Sequence, residues 1–588
     1  MCGIAGEIVF NGHPLHSLTS WSRLVDRMWR RGPDSSGVWT DHHTAVLGCC
    51  RLAVMDTAER ANLPIRSEDG RFVLAYNGEI YQSGNLEKEL RRRGWQFRTR
   101  SDAEVVLASL AEFGVDALEK FNGIFALALF DARERRLTLA RDHAGIKPLY
   151  VLHHRQGAIF GSELELLLDT GPGREQPVDP DAMAMYLRLG HVPAPRTMLR
   201  DVSMLEPGTW QSYSADGQIK KGRHFTFPLE TDRKIKRCDA EPAIEAALSS
   251  AIRRQLVCDV PVGCFLSGGI DSPLIAAIGA RELDRPLDTF SIATDDAAFD
   301  ESVEAERYAA AIGSRHHVIT MTESNAQQLL TQTVAAMREP MADEGMLPTL
   351  LVSQAARERV TVALSGEGGD ELFFGYVARQ CAMLGAPAPT DRNDCYARNL
   401  NDFPRELFER CFPETPWWPS GATVSGLELA PDEWVDWLRH AEFCGYLPYI
   451  LLKTDRASMF HSLEVRVPYL DREVIDVALS IDPEVMIDPA AGIGKKPLRA
   501  ILRRLTGIET AGKRGFSVPV DDWIRGPLRD GVMTSLDRLA GLDDFPINRR
   551  ALRQVVRDHM EGRGDAGTVI WRLLVLDLWW NRCREANR

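Results

Sequence analysis

The segment Leu266-Ser267-Gly268-Gly269-Ile270-Asp271-Ser272 constrains the fold of this chain more than any other. It leaves an apolar, strand-like run, Pro261-Val262-Gly263-Cys264-Phe265-Leu266, and enters a helix beginning near Pro273. Proline suits a first helical turn, where its missing N–H is not needed. Two glycines let the backbone approach an anion closely, two serines offer hydroxyls, and the helix N-terminus adds free N–H groups and a positive dipole end. Such a strand–loop–helix is a pyrophosphate cradle, distinct from the GK(S/T) phosphate loop because no lysine follows the glycines. An aspartate beside phosphates calls for a cation between them, which makes Asp271 a candidate Mg²⁺ ligand. Further strand-like runs at 287–292 and 359–364 adjoin helical sequence, and that alternation predicts a parallel α/β sheet.

The rest of the chain is organised differently. Over residues 6–210, short apolar runs with β character, such as 72–76 and 124–130, alternate with turn residues and with helical stretches at 84–93 and 103–113. This predicts an α+β domain built on stacked β-sheets. Residues 220–237 are basic and irregular around Pro228, and a helical segment follows at 242–256. The predicted division is a first domain at 2–212, a linker at 213–240 and a second domain at 241–588, in which 386–424 is a Pro-, Asn- and Trp-rich excursion and the remainder is mostly helical. With 588 residues the chain exceeds one ordinary core, given about 100–200 residues per domain.

A net charge of −13 disfavours nonspecific attraction to nucleic acid or to an anionic membrane surface. No basic-then-apolar leader and no bilayer-length apolar run is found, so the expectation is a cytoplasmic protein whose partners are small molecules, with neither nucleic acid nor membrane among them. Eleven cysteines without CxxC spacing point to reduced core thiols rather than disulfides or zinc.

One cysteine stands apart by position. If Met1 is removed, Cys2 carries both a thiol nucleophile and an α-amine able to act as its base. Such an amine has a pKa near ~8, well below the ~10.4 of lysine, so a useful fraction is unprotonated at neutral pH.

Behind Cys2 stand, in order, Arg31-Gly32-Pro33-Asp34, Arg51-Leu52-Ala53-Val54-Met55-Asp56, Asn77-Gly78-Glu79-Ile80-Tyr81 and Ser101-Asp102-Ala103-Glu104. Together with the 266–272 loop, Ser365-Gly366-Glu367-Gly368-Gly369-Asp370-Glu371 and Lys453-Thr454-Asp455-Arg456, they resemble the motifs of glutamine-dependent asparagine synthetases. The resemblance runs from Cys2 to 569–574. It implies an α+β N-terminal nucleophile hydrolase domain of the class II glutamine amidotransferase type, followed by an α/β parallel-sheet ATP pyrophosphatase domain with a helical C-terminal part.

By the same resemblance Cys2 attacks the glutamine side-chain amide, Arg51 binds the glutamine α-carboxylate, and Asn77 with Gly78 forms the oxyanion hole. Glu79 lies near the substrate amine, and Asp102 holds the α-ammonium group. A guanidinium fork suits a carboxylate, and fixed donors aimed at a developing oxyanion lower the acylation barrier. In the second half, Leu266, Ser267, Gly268, Gly269, Ser272, Ile292, Ser365 and Gly366 would contact ATP, and Asp271 and Asp370 would hold Mg²⁺. Glu367 would support formation of an acyl-adenylate, with Lys453 against it. Ammonia would pass between the sites through a sealed channel. ATP and Mg²⁺ are the implied cofactors, glutamine and a carboxylic acid the other small molecules, and a homodimer the usual state.

Aspartate is the default acceptor; the alternatives are another carboxylic acid, such as a uronic acid of a polysaccharide precursor or a natural-product intermediate, and a non-catalytic binding or regulatory homologue. Departures from the family pattern are Arg30 in place of a common histidine, Arg338 in place of an acidic residue, Ile292-Ala293-Thr294, and Ala511 in place of an arginine. The last three are expected on the acceptor side. His316-His317, Cys49-Cys50 and the tryptophans at 416–419 are expected to be structural.

Overall fold

The computed structural model describes residues 2–174, 176–228, 233–296, 299–400, 403–419, 423, 433–510, 518–542 and 545–586. Two six-stranded antiparallel sheets form the N-terminal half. The first runs, in spatial order, Val202–Met204, Tyr150–His154, Gly157–Gly161, Cys2–Val9, Ala45–Arg51 and Ser35–Thr40. The second runs Ile219–Arg223, Thr209–Ser214, Arg136–Arg141, Gly123–Asp131, Phe72–Ile80 and Ile65–Arg66. Ile4, Ile8 and Leu47 from the first sheet and Leu74, Phe125 and Leu127 from the second share one apolar core, which is what stacks the sheets face to face. Every residue of Cys2–Val9 is buried, and a Cβ at Gly6 would fall 2.1 Å from the Val46 carbonyl oxygen, so this central strand accepts only glycine there.

The Thr209–Ser214 and Ile219–Arg223 hairpin carries the second sheet past position 212, where the sequence places the end of the first domain. Helices occur where periodicity predicts them, at Ser83–Arg92 and Asp102–Phe113, the latter capped by the Ser101 hydroxyl accepting the Ala103 N–H at 3.3 Å.

The second half is built on a five-stranded parallel sheet in the order Arg315–Met321, Asp288–Thr294, Val262–Phe265, Val362–Leu364 and Glu464–Arg466. Helix Asp271–Arg281 starts at the cradle motif, with Pro273 in its first turn. In the excursion, Trp417 packs on Phe408 and lies 3.5 Å from the Arg188 guanidinium, so these aromatics are spent on loop packing. His317 bonds Asp288 Oδ1 at 3.0 Å and stacks on Phe290, a structural role. Among the described residues, no helix is long and apolar enough to cross a membrane.

Candidate active sites

Cys2 sits at the start of a central strand, paired across the ladder with Arg51. Its backbone N–H donates to Asn77 Oδ1 at 2.9 Å, which fixes the Asn77 amide and leaves its Nδ2 buried without a partner. A buried amide donor with no acceptor is costly unless something else supplies one, and a developing oxyanion at Cys2 is such a group. Strand alternation places Asn77 and Glu79 on one face of Phe72–Ile80, with Gly78 between them on the other. A Cβ at Gly78 would fall 2.2 Å from the Ile124 carbonyl oxygen, so glycine is required at that position. The Cys2 thiol is pushed down to about 7, chiefly by a hydrogen bond with Cys49 and further by the Leu52 amide and the Arg51 charge, against the opposing effect of burial. Burial drives Cys49 well up, so of the two thiols Cys2 gives up its proton more readily.

Arg51 donates to the carbonyls of Met55 at 2.9 Å and Asp56 at 2.7 Å, holding the loop beside Cys2. Asp102 accepts from the Tyr76 hydroxyl at 2.7 Å and from the Ile80 N–H at 2.9 Å. Burial raises Asp102 to about 6, and burial followed by the Asp102 charge raises Glu79 well above the ordinary carboxylate range. A buried carboxylate raised by the charge of another favours a cationic guest, as an α-ammonium group is.

In the second half, the cradle is held by its own serines. Ser272 Oγ accepts the Ser267 N–H at 2.9 Å, and Ser267 Oγ accepts the Gly269 N–H at 3.2 Å. The Gly268 N–H donates to Glu301 Oε2 at 3.2 Å. Leu266 and Ile292 line one cavity with Ser267, Thr294, Phe299 and Pro348, a shape and polarity suited to a nucleoside. The Ser365-Gly366 turn abuts the cradle so closely that a Cβ at Gly366 would fall 3.0 Å from the Ser272 nitrogen.

Asp271 and Asp370 converge, as the sequence predicts, and a residue not assigned from sequence joins them. Lys495 Nζ lies 2.5 Å from Asp271 Oδ2 and 2.6 Å from Asp370 Oδ1, with the side chain only 2% exposed and the backbone at φ +54°. In sequence Lys495 is one lysine of the short basic run Gly494-Lys495-Lys496, and nothing local places it against two distant aspartates. Two carboxylates already gathered round one cationic group form a hard-oxygen donor set that fits Mg²⁺. Space there depends on Gly375, where a Cβ would fall 1.8 Å from Asp370 Oδ1.

Helix Leu447–Phe460 joins the two sites. Lys453 pairs with Asp343 at 3.3 Å, and the Thr454 hydroxyl donates to Glu367 Oε1 at 2.8 Å, leaving Glu367 Oε2 buried without a partner. Asp455 accepts from Arg31 at 2.9 and 3.1 Å, and Arg31 Nε donates to the Cys2 carbonyl at 3.2 Å.

The departures from the family pattern have definite places in the structure. Arg338 turns to the N-terminal half and pairs with Glu165 at 2.5 Å and Glu163 at 3.5 Å, and Ile292 and Thr294 line the cavity beside the cradle. Arg30 likewise lies in the interface, 4.0 Å over the Phe460 ring. Ala511 lies outside the described residues. Asp521, His559 and Asp565 form a separate cluster, but His559 Nδ1 accepts the Ala566 N–H at 3.2 Å, which puts the ring proton on Nε2 and removes the lone pair a metal would need.

Comparison with known proteins gives two family matches, a glutamine amidotransferase domain over residues 1–225 and asparagine synthase over residues 243–581. Asparagine synthetase (glutamine-hydrolyzing) 1 of Bacillus subtilis is 30% identical, with 98% of this chain and 96% of that protein aligned. Asparagine synthetase (glutamine-hydrolyzing) 3 of the same organism is also 30% identical, over 92% of each chain. A protein named amidase chry2, from Gibberella zeae, is 23% identical over 90% of this chain and 91% of its own.

Proposed function

The chain belongs to the asparagine synthase family, and from that membership we propose that it hydrolyses glutamine at Cys2, adenylates a carboxylic acid with ATP, and transfers the ammonia to form an amide, AMP and pyrophosphate. Aspartate, giving asparagine, is the default acceptor. The observation that carries this reading is helix Leu447–Phe460, which grips the Cys2 carbonyl through Asp455 and Arg31 and the Glu367 carboxylate through Thr454. One rigid element thus sets the distance between a thiol site and an ATP-type site.

In the first site, with Met1 removed, the Cys2 thiolate attacks the glutamine carboxamide carbon. Asn77 Nδ2 and the Gly78 N–H receive the oxyanion, ammonia leaves, and water releases glutamate from the thioester. Asn77→Ala is expected to lower the rate of glutamate release by about 10²–10³-fold, as removal of one oxyanion donor does elsewhere; an unchanged rate would take Asn77 out of that role.

In the second site the acceptor carboxylate attacks the α-phosphorus and pyrophosphate departs. Mg²⁺, held by Asp271 and Asp370, would offset charge on the phosphates. Lys495 and Lys453 supply fixed positive charge to the same region, and Glu367 Oε2 is poised to take a proton from the attacking nitrogen. The buried interface of the halves would keep ammonia from being protonated in water on its way across.

A second reading keeps the reaction and changes the acid. It draws support from the relative named an amidase rather than an asparagine synthetase. Screening carboxylic acids for substrate-dependent pyrophosphate release, with ammonium as nitrogen source, decides between them: release with aspartate is expected, and failure with aspartate but success with another acid replaces the default.

A further inference from the structure

The edge strand Glu464–Arg466 belongs to the parallel sheet, yet the Arg466 side chain points back at the thiol site. Arg466 is fully buried, and most of its donors are fixed within its own half. Nε donates to Glu464 Oε1 at 2.7 Å, and Nη1 donates to the carbonyls of Gln255 at 2.7 Å and Val257 at 2.9 Å. These bonds lock the plane of the guanidinium, which also lies 5.6 Å from the centre of the Tyr81 ring. Nη2 is left buried without a hydrogen-bond partner, 3.8 Å from Glu79 Oε2.

That separation is informative. At 3.8 Å the pair is too long for a hydrogen bond but well inside the range of charge attraction. Arg466 therefore acts on the Glu79 carboxylate without occupying its lone pairs, which remain open to a donor entering the pocket. Glu79 otherwise faces Asp102 on helix Asp102–Phe113 and Glu464, so carboxylates dominate its surroundings. A glutamine α-ammonium group brings a single positive charge to Glu79 and Asp102, and Arg466 is the built-in second one. The same residue reaches the ATP-type site through its backbone, because its carbonyl accepts the Ser365 N–H at 2.9 Å.

We propose that Arg466, carried by the second half, is a positioning residue of the glutamine pocket in the first: it holds Glu79 in place to receive the glutamine α-ammonium group. The proposal rests on the glutamine-hydrolysing reading of Cys2. It follows that the first half does not contain its whole substrate pocket.

The test is steady-state glutamate release by the full chain, which needs no knowledge of the acceptor. Arg466→Gln, close in shape but uncharged, is expected to raise KM for glutamine about 10- to 100-fold while kcat falls much less, the pattern of a lost binding interaction. Arg466→Lys restores a cation and is expected to recover most of that loss. An unchanged KM in Arg466→Gln, or a lysine variant as impaired as the glutamine one, overturns the proposal. Thermal unfolding of each variant checks folding. Should Arg466→Gln not fold, Arg466→Lys alone decides: a KM raised about 3- to 5-fold with kcat kept supports the proposal, and a fall in kcat at unchanged KM overturns it. Absence of glutamate release by the parent enzyme would instead remove the glutaminase reading itself.

Discussion

Replacing Cys2 with alanine is expected to abolish glutamate release, by about 10⁴-fold or more, while amide formation from ammonium salts and the accompanying pyrophosphate release continue near the parent rate. No neighbouring thiol can take over. Cys49 shares a hydrogen bond with Cys2, but burial holds its pKa well above neutrality, so it stays protonated where Cys2 does not. Alanine fits the strand, since the side chain at position 2 is buried and small and its loss leaves only a sulfur-sized gap, costing about 1 kcal/mol. The second site is linked to this strand through the Cys2 carbonyl, which alanine keeps. Loss of ammonia-supported synthesis as well would contradict the division of labour between the halves. The parent enzyme carries a matching signature. Because the Cys2 thiol lies at about 7 instead of near 9, the attacking thiolate grows about tenfold per pH unit below 7 and levels off above it. Glutamate release at low glutamine is expected to follow that curve, and a rise continuing to pH 9 would mean an ordinary thiol.

The cradle at 266–272 was legible because everything that makes it a site is local: the strand, the glycines, the serines and the helix start are consecutive. Cys2 stands out by position, and the order of motifs carries the rest of the proposed glutamine pocket. The hairpin past residue 212 was hidden because Ile219–Arg223 is a largely exposed edge strand, where lysine and arginine serve against edge pairing and read in sequence as an irregular basic stretch. The three-residue strand Glu464–Arg466 is too short to show periodicity. Lys495, Arg466 and Arg338 escaped for a shared reason. Each meets at least one carboxylate partner across 100 residues or more of chain, and a lone basic residue in sequence carries no mark of whether it faces water or a buried acid. Arg338 shows the cost: in sequence it counts as an acceptor-side change, and in space it is an interface ion pair.

Replacing Asp271 with asparagine is expected to reverse the pattern of the Cys2 variant, stopping pyrophosphate release with either nitrogen source while glutamate release persists. Asparagine preserves size and helix start but removes one of the two negative charges that converge at Lys495 Nζ. With Asp370 alone, the donor set for a divalent cation loses half its charge, and Lys495 is released from a bond that now fixes it between the carboxylates. A lysine less restrained there still carries its charge to the phosphates, so the electrostatic loss falls mainly on the cation. That separates two explanations by experiment. If Asp271 acts through Mg²⁺, the residual activity of Asp271→Asn should rise steeply with added Mg²⁺, and the parent should saturate at far lower concentration. A loss of about 10³-fold that no Mg²⁺ concentration relieves would place Asp271 instead in orienting Lys495, and an unaffected enzyme would remove it from the site altogether. Because Gly369 and Gly375 leave room for no larger side chain beside these carboxylates, asparagine is the substitution that changes charge while keeping the packing.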